Sequence, residues 1–307
     1  MANFKLDDVR VILADQRTNV RSLLKSAFLD IGIREVIDAN KIEQVSDFIG
    51  QEASPDTVIC DIEISDELCH LIRDVRNNKI GRNPFVCILG ISWNPIRAEV
   101  EKLVDAGIDS LLVAPLSPQL MFDRIQNMVE KRVHFAVARD YVGPDRRKDA
   151  DRAPDRTLLQ VPNTLRAKAL GEWNTVAMDR AIKRAIVEVQ TRKMEVQAID
   201  IASFVDQMIE HLAKPGATLE HTRLLQLQSV IVNLFKTANR LQITHLDELS
   251  QATLQVIETL LETYAEPNKN DLELLSQLPM AIRSALRPEE RNRNVAHDIA
   301  RTVQQAR

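Results

Sequence analysis

The chain has 307 residues, 45% of them hydrophobic and 27% charged, with 8 glycines, 12 prolines and a formal net charge of −4. That length allows about two domains of ordinary size, and the composition excludes wholesale disorder and collagen-like or low-complexity chains. The acidic balance gives the whole chain no polyanion-binding character, so nucleic acid is not expected as a partner.

Residues 9 to 132 alternate short apolar runs with amphipathic stretches. Strands are predicted at Val9–Asp15, Glu35–Ala39, Thr57–Asp61, Phe85–Ile91 and Ser110–Val113. Helical patterns fill the gaps around Val20–Ile31, Ile42–Ile49, Glu67–Arg76, Ile96–Ala106 and Pro118–Val129. Strands that read as continuous Val/Ile/Leu runs between helices argue for a parallel sheet covered on both faces, and right-handed crossovers make it doubly wound. In such a sheet ligands bind outside the carboxyl ends of the strands. The predicted ends that decide the chemistry are Asp15, Asp61, Gly90 and Ala114.

From about Phe135 to Arg166 the alternation breaks down into a stretch with three prolines, one glycine and densely mixed charge. It reads as a linker, since interleaved acids and bases favour solvation. The most basic spot, Asp145-Arg146-Arg147-Lys148, lies within it and is flanked by Asp149, Asp151 and Asp155.

Beyond the linker, strand signals vanish and helical periodicity takes over. A first pattern runs through Ile201, Phe204, Val205, Met208, Ile209 and Leu212 until Pro215-Gly216 stops it. A second carries Leu224, Leu227, Ile231, Leu234, Ala238 and Leu241, a stripe that serves as bundle core or as a dimer seam. Further helices are expected from Thr244 to Tyr264, over Asp271–Leu286 with an internal Pro279, and over Glu289–Gln305. The expected architecture is therefore α/β, a doubly wound five-stranded parallel sheet, followed by an all-α helical bundle. Its divisions are 1–132, a charged linker over 133–173, and a helical output domain over 174–307.

The segments VILADQRTNVRSLL, PDTVICD and DAGIDSLLVAPLSP, at their mutual spacing, resemble the CheY-like receiver domain of bacterial two-component response regulators. The resemblance covers the first two fifths of the chain. It implies a phosphorylated carboxylate at the third strand end, which is Asp61, and a Mg2+ site shared by Asp61 and two acids after the first strand. It further implies a hydroxyl residue ending strand four and a lysine before the proline after strand five. A hard, octahedral Mg2+ takes carboxylate oxygens, and a phosphoryl group in transfer needs its charge met by a metal and a fixed cation.

Against that pattern, Asp15 matches the first acid and Asp61 the phosphoacceptor, while Gln16 stands at the second acidic position and weakens the Mg2+ site. Ala114 stands where the lysine is expected, Leu111 where a switch aromatic is expected, and the strand-four hydroxyl position falls on Leu89 or Gly90. Ser92 is close enough for a loop shift to bring in a hydroxyl. The expectation is a degenerate receiver that acts mainly as a binding module, with phosphorylation at Asp61 impaired.

His211, in the segment IEHLAKPG, carries the faint pattern of a phosphotransfer histidine, but Pro215 follows within a turn, which suits a histidine at a helix C-terminus. Val295-Ala296-His297-Asp298 faintly resembles the start of a kinase dimerisation helix, without any glycine-rich ATP-binding segment. Cys69-His70 is no metal site by itself, and the three cysteines are too few for a disulfide framework. No nucleotide-binding glycine motif or nucleophile elbow occurs, so independent catalysis is not expected. Arg283, Arg287, Arg291 and Arg293 form a basic cluster interrupted by Glu289 and Glu290.

The start MANFKLDDVRVIL lacks a signal pattern, and no apolar run of about 18 residues occurs, which makes a cytoplasmic protein without a membrane span the expectation. The expected partner is another protein, such as a sensor kinase, another signalling protein, or a second copy in a homodimer. The alternatives are a DNA-binding transcriptional regulator and a phosphotransfer relay through His211.

Overall fold

The computed structural model describes residues 4–146, 158–214, 217–243 and 246–286, apart from the side chains of residues 247 and 248. Its contacts divide the chain into two units, Met1–Val189 and Gln190–Arg307. The chain order is β1 (Arg10–Ala14), α1 (Thr18–Asp30), β2 (Glu35–Ala39), α2 (Ile42–Gly50), β3 (Thr57–Asp61), α3 (Leu68–Arg76), β4 (Cys87–Ser92), α4 (Arg97–Ala106), β5 (Ser110–Val113) and α5 (Pro118–Glu130). Then follow β6 (Phe135–Val137), β7 (Val142–Pro144), α6 (Thr164–Ala169), α7 (Thr175–Leu212), α8 (His221–Arg240), α9 (Leu246–Glu262) and α10 (Lys269–Ala285).

In the first unit β1 to β5 form one parallel sheet in the order β2-β1-β3-β4-β5. Alternation along each strand sends successive side chains to opposite faces. Val11 and Leu13 of β1 join Ile59, Leu89 and Ile91 in a core covered by α1, α5 and α6. Ile12 and Ala14 join Val58, Cys60 and Ile88 in a second core under α2, α3 and α4. Both faces being buried explains why these strands read as unbroken apolar runs. The strand order reverses between β1 and β3, so the switch point lies between the ends of those two strands.

The stretch read from sequence as a charged linker, 133–173, carries structure where it is described. β6 and β7 pair antiparallel, with Phe135 opposite Pro144 and Val137 opposite Val142, and Leu159 bridges to Phe135. Phe135, Val137, Val142 and Leu159 close a small core with Phe85 and with Ile182, Ala185 and Val189 of α7. Phe135 meets Phe85 edge-on at 5.9 Å, and the guanidiniums of Arg76 and Arg132 each stand 5.2 Å from its ring centroid. Arg146, part of the basic run, donates from Nη2 to the carbonyls of Ile108 and Asp109 at 2.6 Å each. Arg147 and Lys148 of that run lie outside the described residues.

The second unit is helical. Its core draws Met194, Ile201, Val205 and Met208 from α7, the Leu224-Leu227-Ile231-Leu234 stripe from α8, Val256, Ile257 and Leu260 from α9, and Leu275, Leu278 and Ile282 from α10. The α8 stripe is thus core, fully buried within the unit. The first helix is much longer than its predicted apolar pattern: α7 is one helix of 38 residues starting at Thr175. α10 runs on through Pro279. The stop signal Pro215-Gly216, His297, the helix expected over Glu289–Gln305, and Arg287, Arg291 and Arg293 lie outside the described residues.

Candidate functional site

Asp15 and Asp61 meet at the switch point. Asp61 is the last residue of β3 and Asp15 directly follows β1, its amide donating to the Ala39 carbonyl at 3.2 Å. The parallel pairing of β1 with β3 puts both carboxylates at the same end of the sheet, where they are 1% and 5% exposed. Two acids so buried need a positive partner, because desolvating a carboxylate costs several kcal/mol (on the order of that size) unless it is paired.

The partner is Arg17. Its backbone amide and Nε donate to Asp15 Oδ1 at 2.8 and 2.9 Å, and its Nη2 donates to Asp15 Oδ2 at 2.8 Å and to Asp61 Oδ2 at 2.7 Å. One guanidinium thus spans both carboxylates, in the fork geometry that arginine offers and lysine does not. Trp93 lies under it, the guanidinium carbon 4.7 Å from the ring centroid. Arg21 braces the same turn, its Nη1 donating to the Asp15 carbonyl at 2.6 Å.

The electrostatics follow from these contacts. Burial raises the Asp61 carboxyl above its ordinary range, the Glu63 amide at 3.3 Å pulls it back, and the nearby charge of Asp15 raises it further. The hydrogen bonds to Asp15 raise the Arg17 guanidinium, so its charge is permanent.

The remaining positions fall as follows. Gln16, at the second acidic position, donates from Nε2 to the Ile64 carbonyl at 2.9 Å and ties the β1 end to the loop after β3. Ala114 follows β5, its amide donating to the Ser92 carbonyl at 2.9 Å, and its peptide bond to Pro115 is cis. A methyl group there supplies no cation. Leu111 pairs with Gly90 inside the sheet.

The hydroxyl position needs correction. β4 runs two residues beyond Gly90, with Leu89 opposite Ile59, Gly90 opposite Cys60 and Ile91 opposite Asp61, so the strand ends in Ser92 rather than at Leu89 or Gly90. Ser92 is fully buried without any loop shift, and its Oγ has no hydrogen-bond partner among the described residues. Trp93 Nε1 is likewise buried and unpartnered. The apolar run Phe85–Ile91 predicts the strand itself, and the structure moves its limits to Cys87–Ser92 and the hydroxyl position with them.

The fit of Mg2+ can be judged from the donors. The ion asks for near-octahedral oxygen coordination, commonly one or two carboxylates with waters. Here Gln16 replaces one acid with an amide committed to Ile64, and the oxygens of Asp15 together with Asp61 Oδ2 already accept from a fixed cation. Among the described residues no group of three or more His, Cys, Asp or Glu side chains is placed to hold a metal. The residues present do not fit Mg2+.

His211 is the penultimate residue of α7, its Nε2 4.0 Å from Glu220 Oε1, a position at the helix C-terminus rather than along an exposed mid-helix face. No described helix is long and apolar enough to cross a membrane.

No protein-family model matches the chain, and no curated protein matches it. Parts of the chain are similar to solved structures of receiver domains. One is a signal receiver domain of a two-component histidine kinase from Clostridium thermocellum, at 15% identity over 40% of this chain and 98% of that one, with a TM-score of 0.36. Another is chemotaxis protein CheY4 of Vibrio cholerae, at 20% identity over 39% of this chain and 97% of that one, with a TM-score of 0.34. A third is a response-regulator signal receiver domain from Bermanella marisrubri, at 20% identity over 39% and 98%, with a TM-score of 0.35.

Proposed function

We propose that this chain is a response-regulator-like signalling protein whose parallel-sheet unit works as a phosphorylation-independent binding module and whose helical unit carries the output by contacting another protein. The observation that carries this reading is the single guanidinium of Arg17 donating to both Asp15 and Asp61. A phosphoryl group arriving at Asp61 Oδ2 has to displace that guanidinium. Ala114 offers no lysine to receive the new charge. Transfer to Asp61 is therefore impaired, and the surface of the closed site is the form that a partner meets. Catalysis by the chain alone is no part of the reading.

The test is incubation of the full chain with Mg2+ and acetyl phosphate, followed by intact mass, beside an Asp61→Asn control. The expected result is the same mass for both proteins, with no phosphoryl adduct. An adduct on the wild type that Asp61→Asn lacks would overturn the reading and make Asp61 a working acceptor.

A further inference from the structure

We infer that Arg17 is the resident cation of this site in place of a divalent metal, and that removing its charge turns the Asp15–Asp61 pair into a divalent-cation site. The inference rests on the closed-site reading above and concerns what closes it.

Two buried carboxylates at the same end of the sheet carry two negative charges that water does not screen well. Something positive has to sit between them, and the candidates are a bound metal or a side chain. Arg17 meets the need from within. It makes three donations to Asp15 and one to Asp61, and Trp93 covers its face. A metal entering between Asp15 Oδ2 and Asp61 Oδ2 would take the oxygens that Nη2 now holds, and it would stand a few Å from a like charge. Both terms oppose metal binding while Arg17 is charged.

Take that charge away and the balance reverses. The Asp15 oxygens and Asp61 Oδ2 lose their strongest donors, and the space of the guanidinium becomes available to a hydrated ion. The buried Oγ of Ser92 at the end of β4 is a further oxygen at this end of the sheet without a hydrogen-bond partner among the described residues. An electron-rich cluster of this kind suits a hard divalent cation with several of its waters kept.

Mn2+ serves as the probe. Its binding to the full chain is read from loss of the free-ion EPR signal and from quenching of Trp93 fluorescence, in a Trp173→Phe background so that the second tryptophan is silent. The wild type is expected to show no Asp61-dependent binding. Arg17→Ala is expected to gain it, at least about tenfold tighter, which is about 1.4 kcal/mol, and to lose the gain in the Arg17→Ala/Asp61→Asn double variant. Arg17→Lys keeps the charge and is expected to stay closed to the metal. Should Arg17→Ala fail to fold, as judged by circular dichroism, Arg17→Gln removes the charge while keeping a hydrogen-bonding amide.

Asp61-dependent Mn2+ binding by the wild type as tight as in the charge-free variant overturns the inference. So does a folded charge-free variant that gains nothing, or Arg17→Lys binding as tightly as Arg17→Ala. The outcomes separate from those of the phosphodonor test. A wild type that binds Mn2+ but takes up no phosphoryl group sinks only this inference, whereas a phosphoryl adduct without Mn2+ binding sinks only the phosphorylation-independent reading.

Discussion

Gly143 of β7 lies against Gly107, the residue that ends α4: a β-carbon on Gly143 would stand 2.8 Å from the Gly107 Cα, and one on Gly107 would stand 2.8 Å from the Val142 carbonyl oxygen. Gly107 also has a φ of +100°, the left-handed conformation of a helix C-terminus, which glycine adopts without strain. Backbone meets backbone here, so the β6–β7 hairpin is seated on the turn before β5 at a distance that only two glycines permit.

Alanine at either position has to push the hairpin away. Gly143→Ala is expected to destabilise the sheet unit by about 1–3 kcal/mol. Gly107→Ala is expected to cost more, because strain at a positive φ adds roughly 1–2 kcal/mol. Urea denaturation of both variants checks this. Wild-type midpoints for either one would show that the hairpin does not need the close approach.

Asp109 sits between two buried cations. Arg76 Nη2 donates to Oδ2 at 2.6 Å and Arg132 Nε to Oδ1 at 3.0 Å, while the Ile88 amide donates to Oδ2 at 2.8 Å. Arg76 is further held by the carbonyls of Gly107, Pro84 and Val86. Removing the one carboxylate leaves two guanidiniums buried beside Phe135 without their counterion. Asp109→Asn is therefore expected to cost about 3–5 kcal/mol, the range for breaking a buried pair from one side. The exposed pair Arg97–Glu101 is the internal comparison, and Glu101→Ala is expected to change stability by less than about 0.5 kcal/mol. Equal effects of the two substitutions in denaturant titrations would contradict the assignment.

The acid site gives stability a pH dependence of known sign. Burial raises Asp61 above its ordinary value of 3.8. A carboxyl that holds its proton more tightly when folded favours the native state at low pH, and that contribution is lost as pH rises from the ordinary value through the raised one. Asp61→Asn removes this titration. Relative to the wild type, the variant is expected to gain stability as pH rises through that window, measured as denaturation midpoints of both proteins in buffers with chelator. A pH-independent difference would mean that Arg17 fully compensates the buried charge, and one of opposite slope that it more than compensates it.

Much of the fold is legible in the residues, for a physical reason. The predicted limits of Glu35–Ala39, Thr57–Asp61 and Ser110–Val113 coincide with β2, β3 and β5: the central β3 is buried along its whole length, while the edge strands β2 and β5 are only partly buried and stand out as short β-branched and aliphatic segments between helical patterns. The 133–173 stretch was not legible in the same way. Its strands have three residues each, too short for periodicity, and Phe135, Val142 and Leu159 are scattered among charges. The clue lay instead in the charged residues: Arg76, Arg132 and Arg146 spend their donors inside the unit, which no local window reveals. In the sequence Ser92 reads as a hydroxyl that needs a loop shift, because the strand-four hydroxyl position aligns with Leu89 or Gly90, whereas β4 itself continues to Ser92.

By itself the sequence determined the five-stranded α/β order, the two carboxylates at the ends of β1 and β3, the helical character of the second unit, and the absence of a lysine before Pro115. These are properties of local pattern and of position along the chain. Only the tertiary structure decided what stands between Asp15 and Asp61. Arg17 follows Asp15 by two residues and reads as an ordinary surface arginine at the start of α1, and its side chain remains 41% exposed. Its role exists because β1 and β3 are adjacent and parallel, which carries Asp61 across 44 residues of chain to within 2.7 Å of the same guanidinium, and because β4 brings Trp93 beneath it. Charge compensation between distant strand ends depends on distances in space, and sequence separation carries no record of them.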